Sequence, residues 1–214
     1  RRWVAEGENI ETLAMEAASK AIERAGIDRA EIGAVILSTI SHYHQTPALA
    51  PKLAYQLGIP DAAAYDISAA CAGFCYGLAQ AESIVRAGQA TYVLLIAGEV
   101  ISEITNLEDR GTAFLFGDGA GAVIVGPSET NGIGPVVWGS DGGQEGVIWQ
   151  TADWHTAVET GTFPKLGMDG RAVFKWATSF IARATKKCLD GAGLTPDQLD
   201  VFIPHQANDR ITDT

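Results

Sequence analysis

The chain has 214 residues, 47% hydrophobic and 19% charged, with a formal net charge of −11. That length and balance suit a globular protein with one large or two small domains. A field of that sign repels nucleic acid and anionic lipid, so neither is expected as a partner, and any anionic partner needs a local basic patch.

Residues 10–26 place Ile10, Leu13, Ala14, Ala17, Ala18, Ala21, Ile22 and Ala25 at helical spacing, and Gly26 supplies a stop. "AVILSTI" then reads as a buried strand, "PALAPKLAYQLG" as a helix ending at Gly58, and "AAAYDIS" as a strand. "AGFCYGLAQAESIVRAG" is a helix closed by Gly88, "TYVLLIAGEV" a strand, and "TAFLF" and "GAVIVG" two further apolar runs. Strands alternating with helices indicate an α/β fold with a mainly parallel sheet. "GPSETNGIGP" has the composition of a connector between units. The longest apolar runs are strand-length, too short to span a bilayer, and no signal peptide is recognisable.

After the connector the pattern restarts. "KAIERAGIDRAEI" (20–32) aligns with "KCLDGAGLTPDQL" (187–199), and a strand is expected after each, in "GAVILST" and "DVFIPHQ". One helix–turn–strand unit therefore recurs at an offset of 167 residues. The expected division is an N-terminal half at 1–126, a connector at 127–135 and a C-terminal half at 136–214. Shifted by the same offset, Cys71 would fall past Thr214, and a new helix starts in "NDRITDT". The second half is thus expected to be incomplete, and the chain to be part of a longer protein.

Cys71 in "DISAACAGFCYGLAQ" lies where a strand hands over to a helix. Amide N–H groups at a helix N-terminus favour thiolate over thiol and can stabilise an oxyanion, and sites in open α/β sheets lie at the carboxyl ends of strands. A small buried hydrophobe is the other reading of this cysteine. Cys75 is one turn on, in a CxxxC spacing that fits neither a redox dithiol nor, without a Cys/His cluster, a metal site; it is expected in the core, as is Cys188. Three cysteines make no disulfide framework, and a reducing cytoplasm is the expected compartment. His205 ends the second unit's apolar strand after Pro204, at the position that matches Ser38 under the offset. It is either a structural histidine or a base and hydrogen-bond donor.

With these features in place, the sequence resembles the β-ketoacyl-acyl-carrier-protein synthase III family of thiolase-fold condensing enzymes. The resemblance rests on "DISAACAGF", "DRGTAFLFGDGAGAVIVG", "DGRAVFKWA" and "VFIPHQANDRI", in family order. It implies a thiolase-like α/β fold of two pseudo-repeated halves, layered α/β/α/β/α, and a homodimer. The implied reaction is a decarboxylative Claisen condensation of an acyl-CoA primer with malonyl-acyl-carrier protein, giving 3-oxoacyl-carrier protein, CoA and CO2, the step that initiates fatty-acid synthesis. Cys71 would carry the acyl group and His205 would assist decarboxylation. CoA thioester enters as substrate, and no cofactor or metal is expected. The family's second oxyanion donor is an Asn in a "GN-S" turn, which would lie beyond residue 214; this chain by itself is expected to be inactive. Asn208 is not that Asn and is expected to be structural. A polyketide-starter ketosynthase or acyltransferase of the same fold, or a non-catalytic fragment, are the alternative readings.

Further roles come from the resemblance alone. Arg110, Arg171, Phe174 and Ala207 would line the CoA tunnel, although the family often has Asn where Arg171 stands. Thr46 would reach across the dimer into the partner's acyl pocket, and its small size implies tolerance of branched or longer primers. Lys175 and Arg210 would receive the acidic carrier protein. They accompany a basic stretch comprising Lys165, Arg171, Lys175, Arg183, Lys186 and Lys187. "GDGAGA" leads into a strand rather than out of one, so close packing between strands is expected instead of a dinucleotide loop. "HYH" at 42–44 is expected to be an interface loop rather than a metal site.

Overall fold

The structure is a computed structural model that describes residues 2–213, with Asp209 described by its backbone alone. The chain divides into two compact units, one formed by Arg2–Ile101 with Gly117–Ile133, the other by Ser102–Phe116 with residues 134 onward. Residues 102–116 thus join the unit that holds the later part of the chain.

The first unit opens with α1 (Ile10–Ala25), which buries Ile10, Ala14, Ala18 and Ile22. Asn9 and Thr12 close a reciprocal cap, each side-chain oxygen accepting the other's backbone N–H at 3.0 and 2.9 Å. β1 (Ile32–Ser38), α2 (Ala50–Gln56), β2 (Ala63–Ile67), α3 (Gly73–Arg86), β3 (Tyr92–Val100) and β4 (Asp118–Val125) follow. The sheet order is β2-β1-β3-β4, with β1 parallel to β2 and β3, and β4 antiparallel to β3. Both inner strands are covered on two faces, which is why they read as continuous apolar runs. Val35, Leu37, Leu94 and Ile96 pack beneath α1 and α2, whereas Ala34, Ile36, Val93 and Leu95 pack with Ala81 of α3. By strand alternation Ser38, Ala97 and Glu99 share the α3 face at the carboxyl ends of β1 and β3.

Two local features set where the helices begin. α2 starts three residues later than the sequence pattern implies, because Asp66 of β2 accepts the Leu49 and Ala50 N–H groups, each at 2.8 Å. Leu49 itself provides no side-chain cap, so a neighbouring strand terminates this helix. α3 lies close to the sheet: a Cβ at Gly73 would overlap Ser38 Oγ, and one at Gly77 would overlap Leu95 Cδ1. Cys75 lies on the other side of α3 from Gly73, Gly77 and Ala81, and is exposed rather than in the core. The glycines of "GDGAGA" also depart from expectation. Added Cβ atoms at Gly119 and Gly121 would meet nothing within 4 Å, and the tight contact is instead from Gly98 to Ala120.

In the second unit β5 (Ile148–Gln150) pairs antiparallel with β6 (Leu166–Met168), and α4 (Trp154–Thr160) lies between them in sequence. α5 (Gly170–Ala192) starts on the Asp169 carboxylate, which accepts the Arg171 and Ala172 N–H groups at 3.1 Å. α6 (Asp209–Thr212) ends the described chain. "TAFLF" forms turns, not a strand. Among the described residues no helix is long and apolar enough to cross a membrane, and no group of side chains could hold a metal ion.

The repeat is reproduced bond for bond in its first part. Gly26 has φ 64 and ψ 23 and donates its N–H to Ile22 and Glu23; Gly193 has φ 67 and ψ 28 and donates to Leu189 and Asp190. A 3₁₀ turn follows in each copy, at Arg29–Glu31 and Pro196–Gln198. The copies then diverge. The strand expected in "DVFIPHQ" does not form, and Val201, Phe202 and Ile203 are exposed. β1 is a strand because β2 and β3 satisfy its backbone on both sides. Among the described residues no strand pairs with 201–206 to do the same there.

Candidate active site

Cys71 lies in the 3₁₀ turn Ala70–Ala72, between β2 and α3. Ala70, with φ 44, is the one non-glycine residue in the left-handed region among the described residues. The turn aims Cys71 into an open pocket of about 190 Å³ at the carboxyl ends of β1 and β3. Ser38 and Ala97, paired in register, and Glu99 and Gly119, likewise paired, form its sheet side, while Ala70, Cys71 and Phe74 face them. Gly119 leaves space that a side chain would fill.

The thiol differs electrostatically from the sequence expectation. Cys71 is reachable by solvent, yet it sits in a concavity with protein around most of its sulfur. Desolvation first, and then the nearby Glu99 carboxylate, push its pKa up rather than down; only the Cys71 backbone N–H works the other way. The neighbouring helix-start amides are already engaged. The N–H of Ala72 donates to Ala69 O at 3.0 Å, and that of Gly73 to Ala70 O. Desolvation and the Glu99 carboxylate both favour the thiol over the thiolate in this pocket.

Glu99 was not singled out from the sequence, although it is the one charged residue in the apolar run "YVLLIAGEV". Its carboxylate accepts from Ile40 N at 3.0 and 3.1 Å, Thr39 Oγ1 at 3.1 Å and Ser41 Oγ at 2.6 Å. Burial raises its pKa, and those donors oppose the rise.

His205 belongs to the other compact unit, as do Arg110, Arg171, Phe174, Lys175, Ala207 and Arg210. Surrounding protein depresses the imidazole pKa by desolvation, favouring the neutral ring. Arg110 projects from a turn built on Asp109, whose carboxylate accepts Gly111 N at 2.8 Å and Thr112 Oγ1 at 2.7 Å. Arg171, Phe174 and Lys175 are exposed on the first turns of α5. Of the basic stretch, Lys165 donates to Glu103 O at 2.7 Å and Lys186 pairs with Asp190 at 2.8 Å. Ala207 and Arg210 flank Asn208, whose Oδ1 accepts Arg210 N at 3.0 Å, a local structural role as expected. Thr46, in the first unit, is exposed on the loop before α2, outside the pocket lining and just past His42 and His44, whose rings stack at 5.5 Å.

Residues 65–142 match the family model for 3-oxoacyl-[acyl-carrier-protein] synthase III. Over the full chain the sequence is 49% identical to β-ketoacyl-[acyl-carrier-protein] synthase III 1 of Streptomyces avermitilis, spanning 67% of that protein. It is 51% identical to β-ketoacyl-[acyl-carrier-protein] synthase III of Streptomyces glaucescens, spanning 65% of it. Among solved structures, the priming β-ketosynthase of the R1128 polyketide pathway matches the whole chain with a TM-score of 0.96 and 44% identity, over 64% of its own length. The synthase III of Thermus thermophilus matches with a TM-score of 0.91 and 38% identity, over 67% of its length. The fold is thiolase-like, as the sequence implied, and the chain spans about two thirds of the proteins it resembles. Full-length coverage at half identity carries more than a shared fold: the chain belongs to the β-ketoacyl-acyl-carrier-protein synthase III family.

Proposed function

We infer that this chain carries the acyl-accepting half of a decarboxylative condensing enzyme. The observation that carries the reading is Cys71 itself, opening into a pocket at the strand carboxyl ends within a sequence half identical to synthase III enzymes. In the first half-reaction the Cys71 sulfur attacks the carbonyl of an acyl-CoA. The new S–C bond replaces the bond to CoA, and the thiol proton leaves with the CoA thiolate. In the second, malonyl-acyl-carrier protein loses CO2, and the resulting enolate carbon attacks the acyl-cysteine carbonyl; the new C–C bond replaces the acyl C–S bond, and Cys71 departs as a thiolate that takes up a proton from solvent. The difficult species are the two oxyanions. The Cys71 N–H is a donor for the first, and a neutral His205 can donate to the second. Lys175 and Arg210 supply positive charge for an acidic carrier, and Thr46 favours branched or longer primers in a dimer.

A second reading, priming of polyketide synthesis, draws on the R1128 neighbour and uses the same cysteine chemistry. The test is to expose the chain to acetyl-CoA and isobutyryl-CoA and locate adducts by peptide mass spectrometry. One acyl group on Cys71, lost in Cys71→Ala, is expected. No adduct with either thioester, or labelling of Cys75 instead, rejects the reading.

A further inference from the structure

Glu99 occupies an unusual position for an acid. It enters the same pocket as the nucleophile, from the same sheet face, with no basic side chain among the lining residues. Its partners are arranged to donate to it. Ser41 Oγ accepts the Val100 N–H at 2.8 Å and donates to Glu99 Oε2 at 2.6 Å, and it also lies 3.2 Å from Thr39 Oγ1, where either hydroxyl can donate. Thr39 Oγ1 accepts the Ser41 N–H at 3.1 Å and donates to Glu99 Oε2 at 3.1 Å. Ile40 contributes a backbone N–H, which can only donate. Glu99 is the acceptor at each of these contacts; burial raises its pKa, and this set of donors opposes the rise. Ser41 is 2% exposed and Thr39 5%, so the charge is fixed by a buried network and not by a mobile surface arm.

The other acids on the packed elements are committed elsewhere. Asp66 of β2 holds the start of α2, and Asp118 of β4 accepts Val4 N at 2.9 Å. Among the pocket-lining residues Glu99 is the only charged group facing Cys71.

We propose that Glu99 is a positioning residue of the nucleophile pocket, tying the chain that leaves β1 to the end of β3 and holding a fixed negative charge beside Cys71. Burial of the sulfur first, and that charge beside it, keep the thiol protonated while the pocket is empty. The proton then departs only during acyl transfer, when the leaving CoA thiolate takes it. A resting thiol in an open pocket is slower to react with stray electrophiles than a standing thiolate. This inference deepens the acyl-transfer reading, yet its test needs no acyl-CoA.

The test follows alkylation of the full chain by iodoacetamide from pH 6 to 10, scored separately at Cys71 and Cys75 by peptide mass spectrometry. In Glu99→Gln the Cys71 midpoint is expected to fall by at least half a pH unit, a rise of roughly threefold in rate below the midpoint. Exposed Cys75 serves as the internal reference and should not shift. Glu99→Asp, which restores the charge, should bring the Cys71 midpoint back towards wild type. Because the amide of Gln meets donors on all sides, thermal melting of both variants checks the fold. If Gln perturbs it, Glu99→Asp and Ser41→Ala, which removes one donor while keeping the charge, decide the matter by leaving the midpoint in place. An unchanged or raised Cys71 midpoint in a folded Glu99→Gln protein overturns the proposal, as does a shift of equal size at Cys75. A shifted profile without acylation by CoA thioesters would sink the acyl-transfer reading and leave this one standing.

Discussion

Gly73→Ala is the sharpest probe of how the nucleophile is placed. Gly73 has φ −59 and ψ −42, ordinary helical values, so alanine meets no backbone penalty there. Alanine over glycine contributes up to about 1 kcal/mol in a helix interior and less in a first turn. The obstacle is steric. The new methyl would overlap Ser38 Oγ and lie 3.0 Å from Ser38 Cβ. Rotating the hydroxyl removes the first conflict but not the second, because Ser38 is 3% exposed and its backbone is held between β2 and β3. The start of α3 must lift instead, and overpacking of this kind costs about 1–3 kcal/mol. Net of the helical gain, a loss of about 1–2 kcal/mol is expected in the urea unfolding of the full chain. Ser38→Gly removes both clashing atoms, so in a double-mutant cycle the pair should show a coupling of about 1 kcal/mol or more. Cys71, two residues before Gly73, should change its alkylation rate in Gly73→Ala and recover it in the double variant. If Gly73→Ala equals or exceeds wild-type stability and shows no coupling to Ser38, the close approach of α3 to β1 is not what positions the thiol.

Two further expectations concern charge. Asp66→Asn replaces an acceptor of two backbone N–H groups by an amide with one acceptor and one donor end. It should cost about 1–2 kcal/mol and speed hydrogen exchange at Leu49 and Ala50; unchanged exchange there would refute the capping role. His205 titrates below its ordinary value of about 6.5 in the folded chain, so the stability linked to its neutral ring is present above that pH and lost as pH falls through the folded value. Wild type should therefore lose more melting temperature than His205→Gln between pH 7.5 and 5.5, and parallel losses would contradict a desolvated imidazole.

Much of the first unit was legible because its signals are local. The i, i+4 spacing of Ile10, Ala14, Ala18 and Ile22 and the left-handed stop at Gly26 specify α1 without reference to anything else. Cys71 could likewise be placed from the strand-to-helix handover. What escaped depends on neighbours distant in sequence. "DVFIPHQ" carries the apolar run Val201–Ile203, but a strand exists only where other strands pair with it. The start of α2 is set by an acid on β2, and no pattern around Pro47 announces that. The thiol's ionisation was misjudged because a helix terminus is visible in sequence, while the N–H groups already used within the turn, and Glu99 28 residues further on, are not. An acid interrupting a strand-length apolar run was the available clue.

Ala70 narrows what evolution and engineering can do beside the nucleophile. An alanine in the left-handed region sits roughly 1–2 kcal/mol above its comfortable conformation, and a branched side chain there would sit higher still. Position 70 is consequently confined to a short alphabet of glycine, alanine and the small polar residues that tolerate this twist. Bulk for reshaping the mouth of the pocket has to be introduced from the opposite wall, where Gly119 has room to receive it.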